Sequence, residues 1–160
     1  CGKRALALLN TAYDQNKLVS QAFSAKIQET GEVSRKMNEL IAAQKYRIAG
    51  LEMKIFGGIA QSYAGAGDVL HFEEGLEPVM VRELADAIAE NCGGTAAVFS
   101  GSDEKGYNFC MVTRNGDLRN LGKALTKRFN GRGGGKPNFQ QGSVQAEKAE
   151  IEAFFSRVEL

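Results

Sequence analysis

Val33, Met37, Leu40, Gln44, Ile48, Leu51, Ile55 and Ile59 follow one another at steps of 4, 3, 4, 4, 3, 4 and 4 residues. Threes and fours in that mixture hold one stripe on one side of an α-helix. The spacing predicts a helix over residues 33–63, which is 31 residues or about 46 Å at 1.5 Å per residue. A single small core is not that long. The stripe must therefore be covered by another helix or by a second chain. Gly57-Gly58 falls inside this run. Each glycine costs about 1 kcal/mol in a helix interior, so bending or a close helix approach is expected there.

A first helix is predicted over residues 3–23, where Leu6, Leu9, Tyr13, Val19 and Phe23 recur largely at helical spacing. Glu29-Thr30-Gly31 interrupts the pattern, with Thr30 as N-cap and Glu32 in the first turn of the long helix. Gly65-Ala66-Gly67 ends the helical part, and alternation of an α/β type follows. Strands are expected at Val69–Phe72, Thr95–Ser100 and Tyr107–Thr113, with turns at Gly101–Gly106 and Asn115-Gly116. Helices are expected from Pro78 (apolar face Val81, Leu84, Ala85, Ile88, Ala89), over Leu118–Phe129, and over Gln145–Val158 (apolar face Ile151, Phe154, Phe155, Val158). Asn130–Gly142 reads as a Gly-rich loop. The expected class is α+β: a long helical hairpin, then a small α/β domain with a mixed sheet. The expected division is 1–65, helical and dimerising, and 66–160, globular.

The chain has 160 residues, of which 43% are apolar and 24% charged, enough for a folded core. No run approaches the roughly 18 apolar residues of a membrane helix. The opening residues lack the apolar run of a secretory signal, and a start at Cys1 suggests a piece of something longer. Cys1, Cys92 and Cys110 are too few and too scattered for a disulfide framework or a metal pattern, so a reducing, cytoplasmic setting fits. The net charge is only +1, but it is unevenly spread. Residues 68–92 carry seven acids against Arg82, net −6; residues 114–136 carry seven bases against Asp117, net +6. That asymmetry marks a polyanion-binding surface.

The candidate nucleic-acid-binding residues are Lys123, Lys127, Arg128, Arg132, Gly133, Gly134, Gly135, Lys136, Asn138 and Phe139. Glycine allows positive φ and close backbone approach, so successive N–H groups could form an anion nest between the bases. The alternative is a flexible surface turn. Phe139 could stack on a base or plug the core edge. Cys92-Gly93-Gly94-Thr95 reads as a helix closed by glycine and followed by a strand. His71, the single histidine, reads as a satisfied half-buried or surface residue, and the acids of 68–92 as a solvated surface.

Gly131-Arg132-Gly133-Gly134-Gly135-Lys136-Pro137-Asn138-Phe139-Gln140-Gln141-Gly142 resembles the signature of the DHH-associated domain of alanyl-tRNA synthetases and long alanyl-tRNA editing proteins. Cys1-Gly2-Lys3-Arg4-Ala5-Leu6 resembles the segment that follows the zinc editing domain in the same proteins. The resemblance implies a helical part that dimerises through residues 3–23 and 33–63, and a globular part that contacts alanine-type tRNA. It also implies an upstream editing domain whose zinc is held by histidines and a cysteine in a Cys-Gly-Gly-Thr-His motif. Here Ala96 follows Cys92-Gly93-Gly94-Thr95, so those residues are assigned no metal, and no cofactor and no catalytic residue are expected in the chain itself. Family loops often carry Asp at the place of Asn138 and Gly at the place of Ser143, and related DHH phosphoesterases tend to carry His at the place of Lys136. A phosphoesterase substrate domain acting on nucleic acid or phosphorylated small molecules is the alternative function, and a purely structural oligomerisation domain is a third.

Overall fold

A computed structural model describes residues 2–157. Cys1 of the opening motif and Val158 of the last apolar face lie outside the described residues. The chain divides into two compact units, Cys1–Glu52 and Met53–Leu160.

The first unit is helical. Helix α1 spans Gly2–Ala22, a short 3-10 turn occupies Ile27–Glu29, and α2 starts at Thr30 and runs to Ser62, into the second unit. Thr30 does not cap α2 as expected. Its φ of −57° and ψ of −37° are already helical. Its hydroxyl lies 2.8 Å from Asn16 Oδ1 and 2.9 Å from the Ile27 carbonyl oxygen, and so ties the turn to α1 instead. Asn16 also donates from Nδ2 to the Ile27 carbonyl at 3.5 Å. No residue of α1 is buried. The apolar stripes are present but bare: Leu6, Leu9 and Tyr13 on α1, and Leu40, Ile48 and Leu51 on α2, are all more than half exposed.

The second unit holds the core, and its boundary falls earlier than the one expected at 65/66. The last turns of α2 supply Phe56 and Ala60, both buried, with Ile59 and Tyr63 packed beside them. No close helix approach occurs at Gly57-Gly58, where an added Cβ would meet nothing within 4 Å. Strand β1 (Gly67–Glu73), helix α3 (Pro78–Cys92), β2 (Gly93–Ser102), β3 (Gly106–Thr113), α4 (Arg119–Arg128), β4 (Arg132–Lys136), β5 (Phe139–Val144) and α5 (Lys148–Phe155) follow. The sheet order is β1-β2-β3-β5-β4, with β1 parallel to β2 and the other pairs antiparallel, so the sheet is mixed and the class is α+β.

Alternation along the strands builds two cores. Ala96 and Val98 of β2, with Cys110 and Val112 of β3, face α3 through Val81, Leu84, Ala85 and Ile88. Ala97 and Phe99, with Phe109 and Met111, face α4 and α5 through Leu118, Leu125, Ile151 and Phe155. Pro78 opens α3, as its preset φ favours, and Gly93 closes it at φ 80°, the left-handed conformation glycine takes without strain. The last helix is shorter than predicted. Its expected start is Gln145, but α5 starts only after Glu147, whose side chain completes a capping box with Glu150.

The largest departure from expectation is at 130–142. This is not a Gly-rich loop but a hairpin, β4 against β5, with Arg132 opposite Ser143, Gly134 opposite Gln141 and Lys136 opposite Phe139. None of its glycines has positive φ; the left-handed residue here is Asn130, at φ 46°. The glycines serve packing. A Cβ on Gly135 would fall on the Phe139 carbonyl oxygen, and one on Gly133 would come 2.6 Å from the Gln141 carbonyl oxygen. Gly134 alone of the three has open space.

Candidate nucleic-acid interface

The period of two along β4 decides which candidate residues act together. Arg132, Gly134 and Lys136 pair with Ser143, Gln141 and Phe139, and these pair in turn with Asn108, Cys110 and Val112 of β3. Cys110 and Val112 belong to the α3-side core, so Arg132 and Lys136 project on that side. Helix α3 covers the sheet only as far as β3, which leaves the β5–β4 shelf open. Two hollows follow each other along it. One, of about 340 Å³, is lined by Pro78, Val81, Asn108, Arg132, Gly134, Gln141 and Ser143. The other, of about 500 Å³, is lined by Arg82, Asp86, Arg114, Lys136, Asn138 and Phe139. Both fall within the size range of small-molecule pockets.

The end of this trough is firmly built. The Pro137 carbonyl accepts from Leu118 N–H at 2.6 Å and the Asn138 carbonyl from Thr113 N–H at 3.0 Å. Buried Gln140 donates from Nε2 to the Lys136 carbonyl at 2.7 Å, and Gly122 of α4 leaves room for that side chain. Phe139 packs against the α3-side core with the Arg82 guanidinium 5.2 Å from its ring centroid, so the core-edge role is the one it fills. Arg82 is the cation that sequence reasoning missed. In sequence it is the single base of an acidic stretch, yet it stands one helical turn before Asp86 on the wall facing Lys136. That i, i+4 relation was the available signal.

The other predicted bases lie elsewhere. Lys123, Lys127 and Arg128 are on α4, which packs on the opposite side of the sheet. Arg128 reaches toward α5, in a hollow with Glu150, Phe154 and Arg157, and its guanidinium stacks 5.4 Å from the Phe129 centroid. Arg119 is committed to Asp117, at 3.0 Å from Nε and 2.6 Å from Nη2; those bonds and the Arg119 backbone N–H hold the Asp117 carboxyl down to about 2. The nest expected from positive-φ glycines is absent, because an extended strand directs its N–H groups in alternate directions. The ten candidates thus form two groups on opposite sides of the sheet, bordering its free β4 edge, rather than one pocket.

The acids of 68–92 are less uniform than a solvated surface. Asp68 accepts the Thr95 N–H at 2.7 Å, and Asp86 and Glu90 hold Arg114 at 3.0 and 3.3 Å. His71 is satisfied, as expected: the Tyr63 hydroxyl lies 3.1 Å from Nδ1, and Nε2 lies 3.4 Å from Glu73. Cys92 and Cys110 are buried free thiols, and burial pushes the Cys110 thiol up to about 12. Among the described residues no three His, Cys, Asp or Glu side chains converge as a metal site, and no helix is long and apolar enough to cross a membrane.

Comparison with known proteins matches this architecture. The chain is 25% identical over 154 residues to an alanine–tRNA ligase of Dehalococcoides mccartyi, an alignment covering 88% of the chain and 18% of the ligase. It therefore spans under a fifth of the length of that relative. Among solved structures, RecJ of Thermus thermophilus in complex with Mg2+ matches at a TM-score of 0.51 and 12% identity, over 88% of this chain and 27% of RecJ, a likeness of fold. The C-Ala domain of Aquifex aeolicus alanyl-tRNA synthetase matches at a TM-score of 0.45 and 23% identity, over 55% of this chain and 86% of that domain. The profile of the DHHA1 domain covers residues 57–159, which takes in every strand described above and the last turns of α2. The chain belongs to the DHHA1 domain family.

Proposed function

We propose that this chain is the tRNA-binding and self-associating C-terminal part of an alanyl-tRNA synthetase or alanyl-tRNA editing protein, working in the cytoplasm. It binds rather than catalyses. On this reading the aminoacylation or deacylation chemistry, and the zinc of an editing domain, lie outside these 160 residues. The observation that carries the proposal is the placement of Arg132 and Lys136 on one side of an exposed edge strand, with bare Gly134 between them, facing Arg82 and Arg114 across a trough. A phosphodiester backbone fits that arrangement: cations at intervals, a floor without side chains, and amide groups of Gln141, Asn108 and Asn138 along it. Alanine–tRNA ligases as relatives support tRNA as the polyanion.

Filter binding of tRNA to the chain over a salt series tests this. About three phosphate contacts give a log–log slope near −2 to −3. Arg132→Ala and Lys136→Ala each lower that slope by somewhat under one unit and weaken all tRNAs alike. An unchanged affinity and slope in the double variant sinks the proposal.

The bare stripes on α1 and α2 support the second half of the reading, a homodimer through the helical unit. Contiguous exposed apolar surface of this type marks an association face. Sedimentation equilibrium at micromolar concentration is expected to find a dimer, and Ile48→Glu to return it to a 17.3 kDa monomer. A parent chain that sediments as monomer refutes it.

A further inference from the structure

The cations of the trough are not equivalent. Among the described residues neither Arg132 nor Lys136 of β4 has a carboxylate within ion-pairing distance, whereas Arg114 has two. Its Nη2 lies 3.0 Å from Asp86 Oδ1, 3.3 Å from Glu90 Oε1 and 3.4 Å from the Asp86 carbonyl oxygen. Arg82, Asp86 and Glu90 follow at four-residue steps on α3, so one row of that helix presents a cation and then two anions. Asp86 itself lines the trough with Arg82 and Arg114. All three members of the ion-paired group are about half exposed, at 44% for Arg114, 56% for Asp86 and 65% for Glu90. Pairs so open to water are held loosely and exchange partners easily.

We propose that Asp86 and Glu90 are specificity-determining residues of the RNA site: they act as an internal counter-ion for Arg114, which transfers to an RNA phosphate when the trough is filled. This rests on the reading of the trough as the tRNA site. In the empty trough the two carboxylates outweigh Arg114 and offset half of the total charge of the four cations, Arg114 included. Ligands carrying an isolated negative charge then meet a wall that repels as much as it attracts. A phosphodiester chain anchored on Arg132 and Lys136 brings further phosphates within reach, and a phosphate of full charge competes with the carboxylates for the guanidinium. The acid pair thus sets a threshold of charge density, which favours a polyphosphate backbone over small anions.

The experiment is a tRNA binding cycle on the full chain with Asp86→Asn/Glu90→Gln, Arg114→Gln and the triple variant. The amide pair is expected to bind tRNA about two- to tenfold more tightly at fixed salt, the range of two exposed carboxylates. Arg114→Gln is expected to weaken binding more in the amide background than in the parent, because there the guanidinium is already free. Equal or weaker binding by the amide pair overturns the proposal, and so does an Arg114→Gln penalty identical in both backgrounds, which leaves only a general field. Glu90→Gln alone, the more exposed change, repeats the measurement if the pair of substitutions lowers the melting temperature. Arg132→Ala/Lys136→Ala is run in parallel. No loss there defeats the site itself, whereas loss there without a gain in the amide pair defeats only the role of the acids.

Discussion

Residues 2–52 and the unit that starts at Met53 were written with the same apolar periodicity and meet opposite fates. In α3 every inward position of the pattern, Val81, Leu84, Ala85, Ile88 and Ala89, is buried against β2 and β3. In α1 the same spacing buries nothing, and in α2 the stripe stays open from Met37 through Ile55. Periodicity therefore states that a face needs a cover; it does not state what the cover is. The sheet supplies it for α3 within the chain. Among the described residues the helical unit has no such surface of its own, and both stripes stay uncovered within it.

Truncating the two stripes should separate them most sharply. Leu84→Ala empties a fully buried site and is expected to cost about 2–5 kcal/mol in urea unfolding of the sheet unit. Leu40→Ala, at 52% exposure, is expected to leave that transition within about 0.5 kcal/mol and to act only on association. Equal losses would mean that the α2 stripe is covered within one chain.

The next contrast lies inside β4. Gly135→Ala drives a Cβ into the Phe139 carbonyl and is expected to cost about 1–3 kcal/mol, read as a lower urea midpoint. Gly134→Ala meets nothing and should leave the midpoint unchanged. If both destabilise alike, the strand is held by something other than the hairpin packing described here.

Alkaline pH probes the core of the sheet unit through its buried titratable groups. Burial holds the Cys110 thiol at about 12 in the fold against an ordinary value of 9. Burial, with help from Asp103, holds the Tyr107 hydroxyl at about 12 against 10. Both groups keep their protons longer folded than unfolded. Their contribution is therefore fully present below pH 9 and declines as pH rises from 9 toward 12. Urea midpoints at pH 8 and pH 10.5 should fall for the sheet unit, and Cys110→Ala should flatten part of that fall. A midpoint that does not move with pH would place Cys110 in contact with water.

The smallest effect expected is at α5. Glu150→Ala removes one arm of the capping box, where its carboxylate accepts the Glu147 N–H at 3.2 Å. The loss should be about 0.5–1 kcal/mol of the sheet unit, with no effect on sedimentation.

Much of the fold was readable because it rests on local patterns. The steps from Val33 to Ile59, Pro78 at a helix start and Gly93 at its end each act through neighbours within a turn, and each fell within a few residues of its place. The hairpin at 132–144 was not readable as such. Its glycines match a loop by composition, and what makes them strand is the proximity of Phe109 and Gln141, residues that only the sheet brings together. The candidate site split for the same reason. Arg128 and Arg132 are four apart in sequence, but a helix end and a left-handed Asn130 intervene, and the strand then sends Arg132 to the other side. Arg82 was hidden among acids because its partners, Phe139 and Lys136, lie more than fifty residues away in the chain.

The order β3-β5-β4 has a consequence for timing. The strand that carries Arg132 and Lys136 is made before the strand that joins it to the sheet. During synthesis β4 has no neighbour to pair with until Val144 has emerged, and the earlier strands β1 to β3 can already be in place. β5 then enters between β3 and β4, and α5, made after it, completes the opposite core with Ile151 and Phe155. A nascent chain halted at Lys136 carries every cation of the trough but not β5, and so lacks the floor on which the proposed RNA site depends.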